Sequence, residues 1–111
     1  MDCIFCKIIN KEIPAQIVFE SEKVLAFKDV EPKAPVHILI VPKNHIPSLN
    51  HLELKDKELI GELFLVAQKI AREQKVAETG YRLIFNVGKD AGQTVDHLHL
   101  HLLGGKKLPW A

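Results

Sequence analysis

The sequence predicts an α+β fold, a five-stranded antiparallel sheet carrying one long and one short helix. Three observations lead there. Leu59, Leu63, Val66 and Ile70 recur at helical spacing and mark one long amphipathic helix. Short runs rich in β-branched and aromatic residues lie on both sides of it, three before and two after. Strands do not alternate with helices as parallel crossovers require, so the sheet is expected to pair antiparallel.

Each element follows from local signals. Asp2 is placed to cap a short helix from about Cys3 to Asn10, which Pro14 ends. Ile17-Val18-Phe19-Glu20 and Val24-Leu25-Ala26-Phe27 read as strands around the polar turn Ser21-Glu22-Lys23. Asp29 to Pro35 carries two prolines and reads as a loop, and His37 to Pro42 is almost continuously apolar, as a central strand should be. A connection from Pro47 to Glu53 precedes the long helix, expected over about Lys55 to Lys75. Lys57, Gln68 and Arg72 lie on its far side, and Gly80 is the expected stop. Tyr81 to Val87 is the next strand, and a loop containing Gly88 and Gly92 leads into the last, which Gly104-Gly105 ends.

Composition bounds the rest. The 111 residues, 47% hydrophobic and 26% charged, suit a single soluble domain over residues 1–111. A net charge of +1 gives no bulk field toward nucleic acid or membrane. No apolar run reaches the length a bilayer requires. The N-terminus has no basic stretch leading into an apolar signal core, and two cysteines make no disulfide framework, so a cytoplasmic location is expected.

The most informative segment is His97-Leu98-His99-Leu100-His101. In an extended chain successive side chains alternate faces, so three imidazoles share one face and the leucines the other. Idle exposed histidines would explain one such residue but not three in register. Imidazole titrates near neutral pH and serves as base, acid, nucleophile or ligand. All three cannot share a metal on a straight strand, because the outer pair would lie about 13 Å apart. The segment Asn86 to Thr94 precedes them. Its two glycines let backbone N–H groups approach a ligand, and Gln93 and Thr94 add neutral donors. Cys3-x-x-Cys6 is open to three readings: a redox pair, a metal pair, or two buried thiols.

Gly92-Gln93-Thr94-Val95-Asp96-His97-Leu98-His99-Leu100-His101-Leu102-Leu103 resembles the motif of the histidine triad (HIT) superfamily. Ile4 to Ile9, Glu12-Ile13-Pro14, Leu25 to Asp29, Ala34 to His37 and Gly104-Gly105 resemble its nucleotide-binding Hint branch. The resemblance implies a purine nucleoside phosphoramidase acting at a nucleotide α-phosphate, and a homodimer formed through the long helix and neighbouring strands. His99 would be the nucleophile, forming a nucleotidyl-histidine intermediate. His101 would hold phosphate oxygens, Thr94 would pass a proton to the leaving group, and N–H groups near Gly92 and Thr94 would neutralise developing charge. Asp29 would bind the ribose hydroxyls, with Asn86 and Gln93 toward the sugar and phosphate. Ile4, Phe5, Ile8, Phe27 and Val30 would line the base slot. A structural zinc on Cys3, Cys6, His45 and His97 is implied by relatives that carry zinc on two cysteines and two histidines. His45 has a rival role in support of the nucleophile, whereas His37 and His51 read as non-catalytic. Trp110 matches a tail residue that reaches the neighbour's pocket. Asp96 departs from the aromatic residue common at its position, and Lys28 beside Asp29 bears on the preferred base or leaving group. The competing functions are a nucleotide-binding regulatory module with little turnover, a dinucleoside polyphosphate hydrolase, and a non-enzymatic zinc protein.

Overall fold

The computed structural model describes residues 3–110. Its elements, in chain order, are α1 (Ile4–Ile9), β1 (Ile17–Glu20), β2 (Val24–Lys28), β3 (Val36–Pro42), α2 (Lys57–Glu73), β4 (Tyr81–Phe85) and β5 (Leu100–Gly104). Short 3-10 turns sit at Leu49–His51, Leu54–Asp56 and Lys89–Ala91. The five strands form one antiparallel sheet in the order β1-β2-β3-β5-β4.

Strand alternation divides the core in two. Val24 and Ala26 of β2, Ile38 and Ile40 of β3, and Leu98, Leu100 and Leu102 turn to one face, where α2 supplies Leu63, Val66, Ala67, Ile70 and Ala71. Leu25, Phe27, Leu39 and Val41 turn to the other, where α1 supplies Cys3, Phe5 and Ile8. The expected helical stripe therefore faces the core, with Leu59 at its half-buried margin. A fully buried leucine contributes roughly 1.5–3 kcal/mol, so the α2 layer holds the sheet rigid beneath the other face.

Boundaries depart from expectation for identifiable reasons. Asp2 lies outside the described residues; Cys3 is the N-cap of α1, its sulfur accepting from Cys6 N–H at 3.4 Å. A capping box between Glu53 and Asp56 closes the 3-10 turn Leu54–Asp56, and α2 follows directly at Lys57, two residues later than expected. The helix ends at Glu73, and the left-handed residue that closes it is Lys75 rather than Gly80. Lys75 is left-handed (φ 62°), and Val76 N–H reaches Ala71 O at 3.0 Å while Lys75 N–H reaches Arg72 O at 3.1 Å, a Schellman end. Helix α1 ends the same way at Lys11. The ladder of β5 begins only at Leu100, because Leu98 N–H is taken by Ile46 O at 2.6 Å before β3 can pair with it. His97 and His99 therefore precede the strand, while the alternation of side chains persists through them.

Candidate active site

A cavity of about 300 Å³ opens between α1, the end of β2 and the histidine segment. Its apolar wall is Ile4, Phe5 and Ile8 from α1 with Phe27 from β2. Val30, 90% exposed, stands at the mouth, with Asp29 beside it. Thr94, His99 and His101 complete the lining. One end is thus greasy, and the other carries a carboxylate, a hydroxyl and two imidazoles. Phe5 joins the two ends, its ring meeting Phe27 edge-on at 5.5 Å and His99 at 5.1 Å between centroids.

His99 is only 6% exposed, yet it is not sealed in the core. Its Nδ1–H donates to His97 O at 2.7 Å. That bond assigns the proton to Nδ1 and leaves the Nε2 lone pair available to the cavity. Burial lowers the pKa of His99 from its ordinary value, against the raising effect of the His97 carbonyl and Asp29, so the ring is neutral at pH 7.

His101 is set from the opposite side. Lys33 N–H donates to His37 Nδ1 at 3.0 Å, which places the His37 proton on Nε2. That Nε2–H faces His101 Nδ1 at 2.9 Å, with Asp29 Oδ2 at 3.4 Å. The chain of bonds assigns the His101 proton to Nε2, which keeps it free as a donor. His101 is pushed down to about 4, first by burial and then by His99 and His37. Burial also lowers His37. The site therefore offers one unprotonated nitrogen, on His99, beside one N–H donor, on His101, with the two rings edge-to-face at 4.9 Å.

His37 reads as non-catalytic from the sequence, and the structure gives it a bond to His101 that the sequence does not reveal. The register pairs Leu39 with His101 and His37 with Leu103, so His37 is the diagonal neighbour of His101 on the same face. The parity of His37 and His101 about that register is the signal that could have found it.

Other expected residues are placed as follows. Asn86 donates to Ala91 O at 2.9 Å and pins the glycine loop. Gln93 accepts from Gly88 N–H at 2.9 Å and donates to Pro47 O at 2.7 Å. The Gly92 and Gln93 N–H groups close the loop on Lys89 O and Gly88 O, each at 3.0 Å. Asn86, Gly92 and Gln93 thus shape the approach to Thr94 and lie outside the cavity lining. Asp29 spends Oδ1 on Glu31 N–H at 2.8 Å and keeps Oδ2 toward His37 and the cavity. Lys28 reaches the cavity rim, whereas Asp96 lines a separate polar recess with His45 and His51. His51 bonds Ser48 Oγ at 2.9 Å. Trp110 is 93% exposed.

Behind His99 lies a second cluster. Cys3, Cys6, His45 and His97 place their ligand atoms within 4.8 Å of one another, close enough to hold a metal. Cys3 Sγ is 3.4 Å from His97 Nδ1, and Cys6 Sγ is 3.4 Å from His45 Nδ1 and 3.7 Å from His97 Nδ1. Tetrahedral ligation at ordinary Zn–S and Zn–N lengths separates S from N by about 3.5 Å. His97 is fully buried, and its Nε2–H donates to Pro42 O at 2.8 Å, which turns the Nδ1 lone pair toward the sulfurs.

Residues 10–108 match the HIT domain. The chain is 47% identical to the purine nucleoside phosphoramidase of Escherichia coli (strain K12) over 107 residues, 96% of this chain and 90% of that one. Among solved structures it superposes on a HIT family hydrolase from Legionella pneumophila Philadelphia 1 with a TM-score of 0.96 at 49% identity, covering 98% of this chain and 97% of that one. A histidine triad protein from Clostridium difficile matches with a TM-score of 0.96 at 51% identity, over 100% and 96% of the two chains.

Proposed function

The chain belongs to the HIT domain family, and on that premise we propose that it is a hydrolase, of the Hint branch, that cleaves nucleoside 5′-phosphoramidates or acyl-nucleotides at the α-phosphate of a purine nucleotide. In this reading residues 1–111 are a single HIT domain working in the cytoplasm. The observation that carries it is the pairing of an unprotonated His99 Nε2 with a donating His101 in a cavity whose other end is apolar. That arrangement fits a phosphoryl group at one end and a base at the other.

The purine lies among Ile4, Phe5, Ile8, Phe27 and Val30, and ribose hydroxyls donate to Asp29. His99 Nε2 attacks the α-phosphorus; the new P–N bond forms as the bond to the leaving amine breaks. The ring gains positive charge, which the His97 carbonyl stabilises through Nδ1–H. His101 Nε2–H steadies the phosphoryl oxygens, and the Thr94 hydroxyl relays a proton from solvent to the departing amine, which the hydrolytic water later returns to solvent. Water then attacks phosphorus, releasing the nucleoside monophosphate and restoring neutral His99.

Zinc suits the second cluster: two thiolates and two neutral imidazoles cancel its charge, so the centre can be buried. Four protein ligands leave no open position, which makes its contribution structural. Phe64 and Leu65, exposed on α2, and Phe85 on the edge strand β4 form an apolar margin that we assign to a homodimer. The Trp110 tail then extends toward the neighbour.

The test is turnover of adenosine 5′-phosphoramidate by the wild type and by His99→Asn. The wild type should release AMP, and the variant should lose roughly 10²–10⁴-fold in rate. A fully active variant removes the nucleophile; tight AMP binding without turnover favours a regulatory nucleotide-binding module.

A further inference from the structure

The proposed reaction uses Cys3 and Cys6 only as silent ligands, yet their position couples them to the nucleotide cavity. Both sit on α1 around Phe5, which forms the cavity wall and meets His99 at 5.1 Å and His97 at 5.9 Å between centroids. Cys3 Sγ is held 3.4 Å from His97 Nδ1, and His97 in turn supplies the carbonyl that receives His99 Nδ1–H at 2.7 Å. From Cys3 to the attacking nitrogen there is thus one contact, one residue and one hydrogen bond. Cys6 is only partly buried, and Sγ of each cysteine lies within 4.8 Å of the other.

We propose that Cys3 and Cys6 form a reversible disulfide that acts as a redox latch on the histidine segment, an inference that rests on the nucleotide-hydrolase reading for its effect on substrate. A disulfide requires its sulfurs about 2.05 Å apart. Drawing them together takes both off the positions they hold against His97 and His45. The oxidant is a low-molecular-weight disulfide, with oxidised glutathione as the probe. One cysteine thiolate attacks its S–S bond and releases one glutathione thiol; the second cysteine thiolate displaces the other. The Cys3–Cys6 bond forms, two electrons pass to glutathione, and the two glutathione thiolates released take up protons from solvent. With both sulfur charges gone, half of the metal ligand set is lost. His97 is then held by its Pro42 bond alone, and the Phe5 wall and the His99 carbonyl partner loosen together.

The experiment treats the intact, metal-loaded chain with excess oxidised glutathione. Intact mass should fall by two hydrogens with no glutathione retained, and zinc should be released to a colorimetric chelator. The ring resonances of His97 and His99 should shift, and AMP affinity by calorimetry should weaken about tenfold. A dithiol reductant followed by zinc should reverse every change, and Cys3→Ser should show no internal disulfide. Formation of glutathione adducts alone overturns the latch. So does a disulfide that leaves the His97 and His99 resonances or the AMP affinity unmoved. A reduced protein that binds no AMP refutes the nucleotide reading instead, and the histidine resonances then decide the latch by themselves.

Discussion

Replacing His37 by phenylalanine isolates what the buried imidazole pair does. The ring is 6% exposed, so phenylalanine fills its space while deleting the Nε2–H that faces His101 Nδ1 at 2.9 Å and the Nδ1 acceptor of Lys33 N–H at 3.0 Å, the latter loss bearing on stability alone. Two consequences separate. A buried acceptor left without its donor costs about 1–3 kcal/mol of stability. The second consequence is chemical: with Nδ1 unpartnered, the His101 proton is no longer confined to Nε2. Losing that donor to an anionic phosphoryl group costs roughly 1.5–3 kcal/mol in the transition state, or about 10- to 100-fold in kcat/KM. Steady-state hydrolysis of adenosine 5′-phosphoramidate measures the second term, and urea unfolding the first. His37→Gln carries an amide N–H near the same place and should recover part of the rate. Unchanged kcat/KM in a folded His37→Phe protein would refute the ordering of His101 by His37.

Three further outcomes follow from particular contacts. A Cβ at Gly105 would lie 2.9 Å from Pro35 Cβ at φ +94°, so Gly105→Ala should lose about 1–3 kcal/mol in urea unfolding. His101 titrates near 4 in the folded chain and near 6.5 unfolded, so the unfolded state binds the extra proton between these values. Stability should therefore be full above pH 6.5 and decline as pH falls toward 4, by on the order of 3 kcal/mol from this residue; His101→Phe should flatten that slope in melts run across the window. A strong chelator should lower the melting temperature by several degrees, and Cys6→Ser should both reduce zinc measured by atomic emission and abolish the response.

The sheet and the histidine face were legible because alternation is a local property. Leu98, Leu100 and Leu102 enter the α2 core while His97, His99 and His101 turn the other way, although only the last lies within the ladder. The Cys3, Cys6, His45 and His97 cluster was reached through family resemblance, since nothing local ties residue 45 to residue 97. The hydrogen bond of Leu98 N–H to Ile46 O makes that link in space. His37 was missed for a related reason. Its strand is apolar on both faces, so the sequence shows no alternation from which to read which side chains turn toward α1. The loop bonds that Asn86 and Gln93 make were not legible, because an amide offers the same donors to a phosphate as to a loop carbonyl. The stops at Lys11 and Lys75 were hidden because lysine in a left-handed cap carries no signature comparable to glycine.

The two clusters also explain how four neighbouring, largely buried imidazoles remain neutral and oriented. Each buried ring nitrogen that needs a partner has one: Pro42 O for His97, His97 O for His99, Lys33 N–H and His101 for His37. Burial opposes protonation in every case. A ring with both nitrogens satisfied would be inert, and one with neither would turn. His99 is fixed by one nitrogen and reactive at the other, and that asymmetry comes from a backbone carbonyl, which no side-chain substitution can delete. One route to weakening the reaction from outside the cavity, separate from the His37–His101 pair, is therefore to move residue 97; Cys3, Cys6 and His45 are the side chains packed against it, and substituting any of them should lower kcat/KM for adenosine 5′-phosphoramidate.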